Sequence, residues 1–588
     1  MRFGLPSRKN RHFKATAATV LAAVCCAGGA ASVRAETLPS LTIDVQNQSG
    51  RTVPSGSSLT VTGATTLKSR SSTGDVYGNL WGIVSTGGPV DLNSVTGTNN
   101  SGWIVTLAAW GTGAELTAKT VDITTQLVRG SVGFNTQNSA FGIRALDGGV
   151  INITGGGKVS ILHSASGDRA VNTGWSNIAM LADDGAIYVG GLLTALSTEN
   201  DSPAIVATGG GGLIEFYRLE SSSNAAQVPG LQVGREPNGA GDIGGAGTIR
   251  IHNQFDITTH GEDSPGIYVV GSAYWGSTRI STLTAGNKDV RSTVLAEQSA
   301  ALVVDSDQTQ TGGSPGGVSV TLYNTELKSG NSDSDLIIAG GGLTGGSSLT
   351  LRANSYAEAP ANGYLLNMSG YDYSEYDFKN LATTQSGELS FRVDDSTIVG
   401  SINTNVNAGQ VLKIEMSNNA LWRIVGKNGA LDQTSSFSSL FIKGGAVIDA
   451  SAGENSLADF TLAGNVSSDA ATIKLQDGQV GDVLTIQGDY HGYSYGWDDA
   501  AVISLDTHLG DDDSETDLVR FQGDVGGQTL VDIRPQEGSQ GADTLSNGIK
   551  ILQVDGSAPE DAFELVPHFR TDNGWPAVVV GAYAYTLW

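Results

Sequence analysis

The sequence predicts an all-β chain whose successive turns stack as a parallel solenoid, and three observations carry that prediction. Glycine is 80 of 588 residues, about twice its usual share, while charged residues are only 16%. Apolar residues recur in short two-residue alternation rather than at helical spacing. A short motif with a central serine returns along the chain, its serines 63, 62 and 35 residues apart. With 14 prolines beside the glycines, the pair falls short of the ~25–30% of low-complexity disorder. The absence of a strict Gly-X-Y period excludes collagen.

The first segment reads as export machinery. Arg2, Arg8, Lys9, Arg11 and Lys14 precede an apolar run from Ala15 to Ala27, and Val33-Arg34-Ala35 before Glu36 is a small-residue exit. The run is too short for the ~20 residues that span a bilayer. A signal peptide is therefore expected over 1–35. A lipid anchor does not fit, because Cys25 follows Val24 and Cys26 follows Cys25. Both cysteines fall inside this segment, so the mature chain is expected to have no disulfide, thiol nucleophile or cysteine-bound zinc. A cysteine-free chain also suits one that stays unfolded through a second membrane crossing. Residues 36–588 carry 27 basic against 59 acidic residues. A surface this acidic repels phosphate backbones and anionic lipid, which argues against nucleic-acid partners and charge-driven membrane binding.

After residue 35 no stretch approaches 18 apolar residues. Short alternating segments take over: Val150–Ile153, Val159–Ile161, Ile249–Ile251, Val318–Leu322, Leu349–Leu351, Ile473–Leu475 and Leu484–Ile486. They predict strands of three to five residues with one face buried. Asn-Gly and Asp-Gly hairpin signals are too few to join so many strands antiparallel. The recurring motif is Asn138-Ser139-Ala140-Phe141-Gly142-Ile143, Asp201-Ser202-Pro203-Ala204-Ile205, Asp263-Ser264-Pro265-Gly266-Ile267 and Gln298-Ser299-Ala300-Ala301-Leu302. Such spacings fit coils of roughly 20–30 residues, each giving one strand to each of two or three sheets and stacking ~4.8 Å apart. A propeller would need a regular ~40–50 residue period, which is missing.

Asn418-Asn419-Ala420-Leu421-Trp422-Arg423-Ile424, Leu440–Val447, Leu484-Thr485-Ile486-Gln487-Gly488, Leu509–Val519, Gly527-Gln528-Thr529 and Asn547–Val554 follow one another in that order. On these motifs the chain, from about residue 418, resembles the C-terminal part of pertactin-like autotransporter passenger domains. The resemblance implies a right-handed parallel β-helix carried outside a Gram-negative cell, with last coils that fold first and template the rest. The expected organisation is a signal peptide at 1–35 and a β-helix passenger at 36–419. A C-terminal β-helix and autochaperone region follows at 420–565, then a terminal strand or linker at 566–588. The family continues into a translocator barrel. Here Gly581–Trp588 resembles the last strand before it, so the barrel is expected to be truncated, frameshifted or encoded separately. Export through the inner membrane is expected, then the cell surface or outside, or the periplasm if no barrel is supplied.

Asp511-Asp512-Asp513-Ser514-Glu515-Thr516-Asp517 alternates oxygen ligands, but its sixth position is Thr516 and its twelfth Gln522, where a calcium loop wants Gly and Glu. It reads as a solvated turn between coils. His163, His252, His260, His491, His508 and His568 lie in no protease or His-Glu-x-x-His pattern. Gly370–Phe378 and Tyr490–Trp497 mix aromatics with polar groups and could stack on sugars or a host protein, or simply pack on the flank. Gly209–Gly212 lacks the helix and Lys of a phosphate loop, and Arg129-Gly130-Ser131 only approaches an Arg-Gly-Asp. No catalytic, metal or cofactor residue is assigned and no cofactor is expected. The expected function is a non-catalytic, monomeric passenger that contacts a host-cell or extracellular protein or glycan, by family analogy. The alternatives are a polysaccharide-cleaving enzyme, which would need clustered Asp/Glu with a basic partner along one sheet, and a barrel-less remnant.

Overall fold

A computed structural model describes residues 34–45, 50–69, 80–99, 104–126, 141–162, 178–200, 202–234, 245–271, 280–306, 316–340, 342–368, 386–453, 456–493 and 499–587. The expected signal peptide lies outside them, apart from its last two positions. Among the described residues nearly all regular structure is strand, interrupted by two short 3-10 turns at Val406–Ala408 and Lys427–Gly429.

The strands pair in parallel, coil upon coil, in a 33-stranded sheet and a 12-stranded one. Ala186–Ser197 shows how the long sheet covers two sides. Its first half pairs with Val150–Ile153 and its second with Gly157–Leu162, so one strand turns the corner unbroken. The 12-stranded sheet closes the third side. The fold is therefore the expected parallel β-helix, with strands of up to 12 residues rather than three to five, because corners are passed without a break. Among the described residues coils run from 23 residues, Glu388 to Val411, to 42, Ser348 to Ser390, wider than the expected range.

Parallel stacking sets like on like. Ile398, Trp422, Ile448, Ile473, Ile503, Val531 and Leu565 form one interior column, each beside the next in register and all essentially out of water. A lone coil cannot bury that face, so each shields its neighbour. In Gly212–Ser223, Ile214, Phe216 and Leu219 point in while Glu215, Tyr217 and Glu220 point out. The inward phase slips by one residue between Phe216 and Leu219, where the strand bends.

The 12-stranded sheet departs from the one-face-buried expectation. Phe141–Leu146, Ile178–Asp183 and Ile267–Gly271 are buried on both faces. On its outer side Trp81, Val84, Val105, Ala108, Phe141, Ile178, Leu181 and Val206 form an apolar cluster separate from the main core.

The serine motif marks the corner entering this sheet. Ser202, Ser264 and Ser299 are buried and stand three residues before Ile205, Ile267 and Leu302, the last two of which are register partners. Ser197 Oγ donates to the Ser202 carbonyl at 2.7 Å, and Thr259 Oγ1 to the Ser264 carbonyl at 2.6 Å. The Ser264 hydroxyl donates to the Ala225 carbonyl and accepts the Val228 N–H. The 62-residue interval is thus two coils and the 35-residue interval one. Ser139 lies outside the described residues. At the same corner a Cβ on Gly261 would run into the Ala225 carbonyl of the preceding coil. We expect Gly261→Ala to cost about 1–3 kcal/mol by overpacking, read as a lowered denaturation midpoint; an unchanged midpoint would mean the corner can shift aside.

Beyond Leu565 the direction reverses. Phe569–Arg570, Pro576–Val580 and Tyr583–Tyr585 form a three-stranded antiparallel sheet. It lays Ala577 and Val578 against the end of the stack. The Tyr585 hydroxyl accepts the Ala542 N–H at 2.8 Å and has the Gly510 and Ala542 carbonyls, both at 2.9 Å, as acceptors for its own O–H.

Candidate functional site: the stapled C-terminal coils

Between residues 449 and 557, aspartates carry most of the ties from coil to coil, although Asp335 already accepts the Tyr364 N–H at 2.8 Å and Ser539 Oγ still accepts the Leu509 N–H at 3.1 Å. Asp482 accepts the N–H of Ala452 at 3.1 Å and of Ala458 at 2.7 Å. Asp506 accepts the N–H groups of Asp477 and Gly478 at 2.8 and 2.6 Å, and Arg534 Nε and Nη2 grip its two oxygens at 2.6 and 2.7 Å. Asp517 takes the N–H groups of Gly481 and Asp482, both at 3.0 Å, and of Asp506 at 2.7 Å. Coil corners leave N–H groups without ladder partners, and a carboxylate accepts them more strongly than a neutral oxygen does. A second line climbs another corner: Asp489 N–H to Asn465 Oδ1, Asp524 N–H to Asp489 Oδ1, and Ser557 N–H to Asp524 Oδ1, at 2.8–3.0 Å.

The environments push these groups apart. Burial raises the Asp482 carboxyl and lifts Asp517 to about 7, against the pull of its N–H donors. The Ser557 N–H holds Asp524 below the usual carboxylate range.

Beneath these corners lies an aromatic column. Tyr490 and Phe521 stack at 5.0 Å, and Phe521 and Phe563 at 5.5 Å. The Tyr490 hydroxyl bonds Thr529 Oγ1 at 3.0 Å, and burial pushes its phenol up to about 12. Tyr490 is therefore core, not an exposed stacking ring. His491 and Tyr493 stay at the surface, their rings 4.4 Å apart. Ser494–Trp497 and the cluster at 370–378 lie outside the described residues.

The acidic run 511–517 is a turn, as expected, but it is not simply solvated. Asp512 accepts the N–H groups of Leu545, Ser546 and Gly548; these donors, the Leu545 N–H foremost, hold its carboxyl low. Asp517 is fully buried. Among the described residues no three His, Cys, Asp or Glu side chains group in a way that could hold a metal ion. Of the histidines, His252 approaches Glu215 at 3.6 Å, His260 pairs with Glu297 at 2.8 Å and His568 with Asp532 at 2.8 Å. His252 and His260 follow the two strands of one coil, Gly247–Ile251 and Phe255–Thr259, His568 stands far along the stack, and His163 lies outside the described residues. Gly209 and Gly210 make a left-handed turn between two strands. Arg129-Gly130-Ser131 is outside the described residues.

The outer faces carry charge ladders that sequence spacing concealed. Glu220 and Asp256 are register neighbours, with Arg218 pairing Glu220. Burial raises the Asp256 carboxyl, opposed by Arg218 and helped by Glu220. Further along, a polar cleft of about 550 Å³ is lined by Arg352, Asp394, Glu415, Asn418 and Lys443 among others. Burial opposes charge on Asp394, but donors from Asn418, Arg352 and Ser417 outweigh it and keep its carboxyl low. The turn beside it is left-handed at Ala353, Asp395, Asn418, Gly444 and Ala470 in successive coils.

Residues 461–587, which contain most of these staples, match the family described as Autochaperone Domain Type 1. Over 534 residues, 78% of this chain and 41% of the relative, the chain is 23% identical to the probable autotransporter YfaL of Escherichia coli K12. It is 39% identical to the adhesin BmaC autotransporter of Brucella suis over 105 residues, 18% of this chain and 3% of that protein. It is 32% identical to the uncharacterized protein YuaQ of E. coli K12 over 126 residues, 21% of this chain and 8% of that one. The chain spans less than half the length of these relatives. Among the described residues no helix is long and apolar enough to cross a membrane.

Proposed function

Because this chain is an autotransporter passenger-like protein, we propose that its coil stack is a non-catalytic stalk whose C-terminal coils seed folding. We further propose that the flank of the stalk makes adhesive contact with a host or extracellular protein or glycan at the cell surface. The observation that carries the seeding reading is the concentration of carboxylate staples within the segment matching the autochaperone family. Conformational entropy opposes the first coils of any solenoid until neighbours cover them. Corners already tied by Asp482, Asp506 and Asp517 lower that barrier. The likeness to a named adhesin supports surface contact, and the ion-paired outer faces offer the area.

Refolding kinetics test the seeding role. Phe521→Ala in the C-terminal column is expected to slow refolding at least tenfold, and Ile143→Ala, far up the stack, to accelerate unfolding while leaving refolding within about twofold. The reverse partition would place the seed elsewhere. Glycan and matrix-protein arrays test adhesion. Polysaccharide cleavage is the second reading, favoured by the neighbouring Glu220 and Asp256 with Arg218. If cleavage occurs and is lost in Glu220→Gln, the non-catalytic reading fails.

A further inference from the structure

Three carboxylates of the C-terminal coils sit out of water with one cation among them. Asp506 and Asp517 are 0% exposed and Asp482 is 1% exposed. They are linked through backbone, since the N–H groups of Asp482 and Asp506 both point at the Asp517 carboxylate. Arg534 is committed to Asp506 through both its bonds. The remaining charged groups of the surrounding elements do not relieve the excess. The turn before Asp482 adds a further carboxylate, Asp477, which accepts the Gly453 and Gln479 N–H groups. Thr472–Lys474 brings Lys474, held 3.4 Å from Asp449. Thr529–Pro535 adds Asp532, paired with His568. Arg520 and Glu515 are exposed, and His508 is half-buried with its backbone N–H bonded to the Glu515 carbonyl. Among the described residues no cation bridges Asp482 or Asp517.

We propose that this cluster is a proton-operated clasp, taking up a proton as the pH falls through neutrality and thereby tightening the coils it joins. Charges of one sign this close and this dry do not all ionise freely. Burial raises Asp517 to about 7 and raises Asp482 as well. A carboxyl raised on folding contributes stability that is complete below its unfolded value near 4. That contribution is lost as the pH rises through the folded value. Over the window from about 4 to about 7, one such proton changes the folding equilibrium by up to about tenfold per pH unit. The inference does not depend on adhesion or on folding order.

Hydrogen exchange of the full chain, corrected for intrinsic rates, tests it at the amides of Asp477, Gly478, Gly481, Asp482 and Asp506. Protection at pH 5.5 is expected to exceed that at pH 8 by at least about tenfold. Asp517→Asn, permanently neutral, is expected to flatten the dependence, and His568→Gln to leave it as in the wild type. Should Asp517→Asn not fold, Asp482→Asn is expected to weaken the dependence instead. Equal protection at the two pH values would overturn the proposal. So would a wild-type slope in the foldable Asp variant, or loss of the slope in His568→Gln alone.

Discussion

Arg534→Met is expected to destabilise the C-terminal coils by about 3 kcal/mol. Its effect comes from what it leaves behind. Asp506 is fully buried, and the substitution strips two of its four donors while keeping only the Asp477 and Gly478 N–H groups. An unpaired buried charge costs about 3–5 kcal/mol. The lower end applies because the guanidinium is itself half-exposed and two N–H donors remain. Hydrogen exchange or denaturation followed at residues 477–535 reads the change. A cost below about 1 kcal/mol would rank the pair with ordinary surface bridges.

The second large effect is expected at Trp422→Ala, about 4 kcal/mol. Trp422 is wholly buried in the interior column, between Ile398 and Ile448. Its ring meets Phe437 edge-on at 6.3 Å, and its Nε1 donates to the Gly400 carbonyl at 2.8 Å. Truncation empties an indole-sized space that rigid neighbouring coils cannot fill and leaves a buried carbonyl without its donor. Trp422→Phe keeps most of the volume and is expected to cost roughly half as much. Solenoids unfold in sections, so the loss is expected at the coils around 398–448, with those before Ile205 holding their protection. Uniform loss along the chain would instead indicate one cooperative unit.

Much of the fold was legible because a parallel stack writes its interior as alternation. Ile249-Arg250-Ile251 and Ile473-Lys474-Leu475 read as alternating and show that alternation in burial, whereas in Leu484-Thr485-Ile486 the middle threonine is buried too. Coil length was less legible, since register joins residues 23 to 42 positions apart and the corners absorb the difference. The doubly buried sheet did leave a signal in uninterrupted apolar runs such as Ile267-Tyr268-Val269-Val270, the mark of strands covered on both faces. The staples were missed for another reason. Leu505-Asp506 ends an apolar strand, a faint hint of an inward acid. Asp517 sits in a polar run, and only neighbours 11 and 35 residues away in sequence, Asp506 and Asp482, enclose it. The Glu220–Asp256 pair was hidden likewise, because it exists only once two coils are stacked.

The reversed strands after Leu565 decide what the end of the rod can recruit. A bare last coil would offer unpaired edges in the same orientation as every coil before it, an invitation to any molecule carrying like strands. The small crosswise sheet packs on Thr529–Pro535 and Phe563–Leu565, so that side of the last coil is covered. On that side, the same repetitive architecture that makes a long filament cheap to extend within one molecule is hindered from running on into the next.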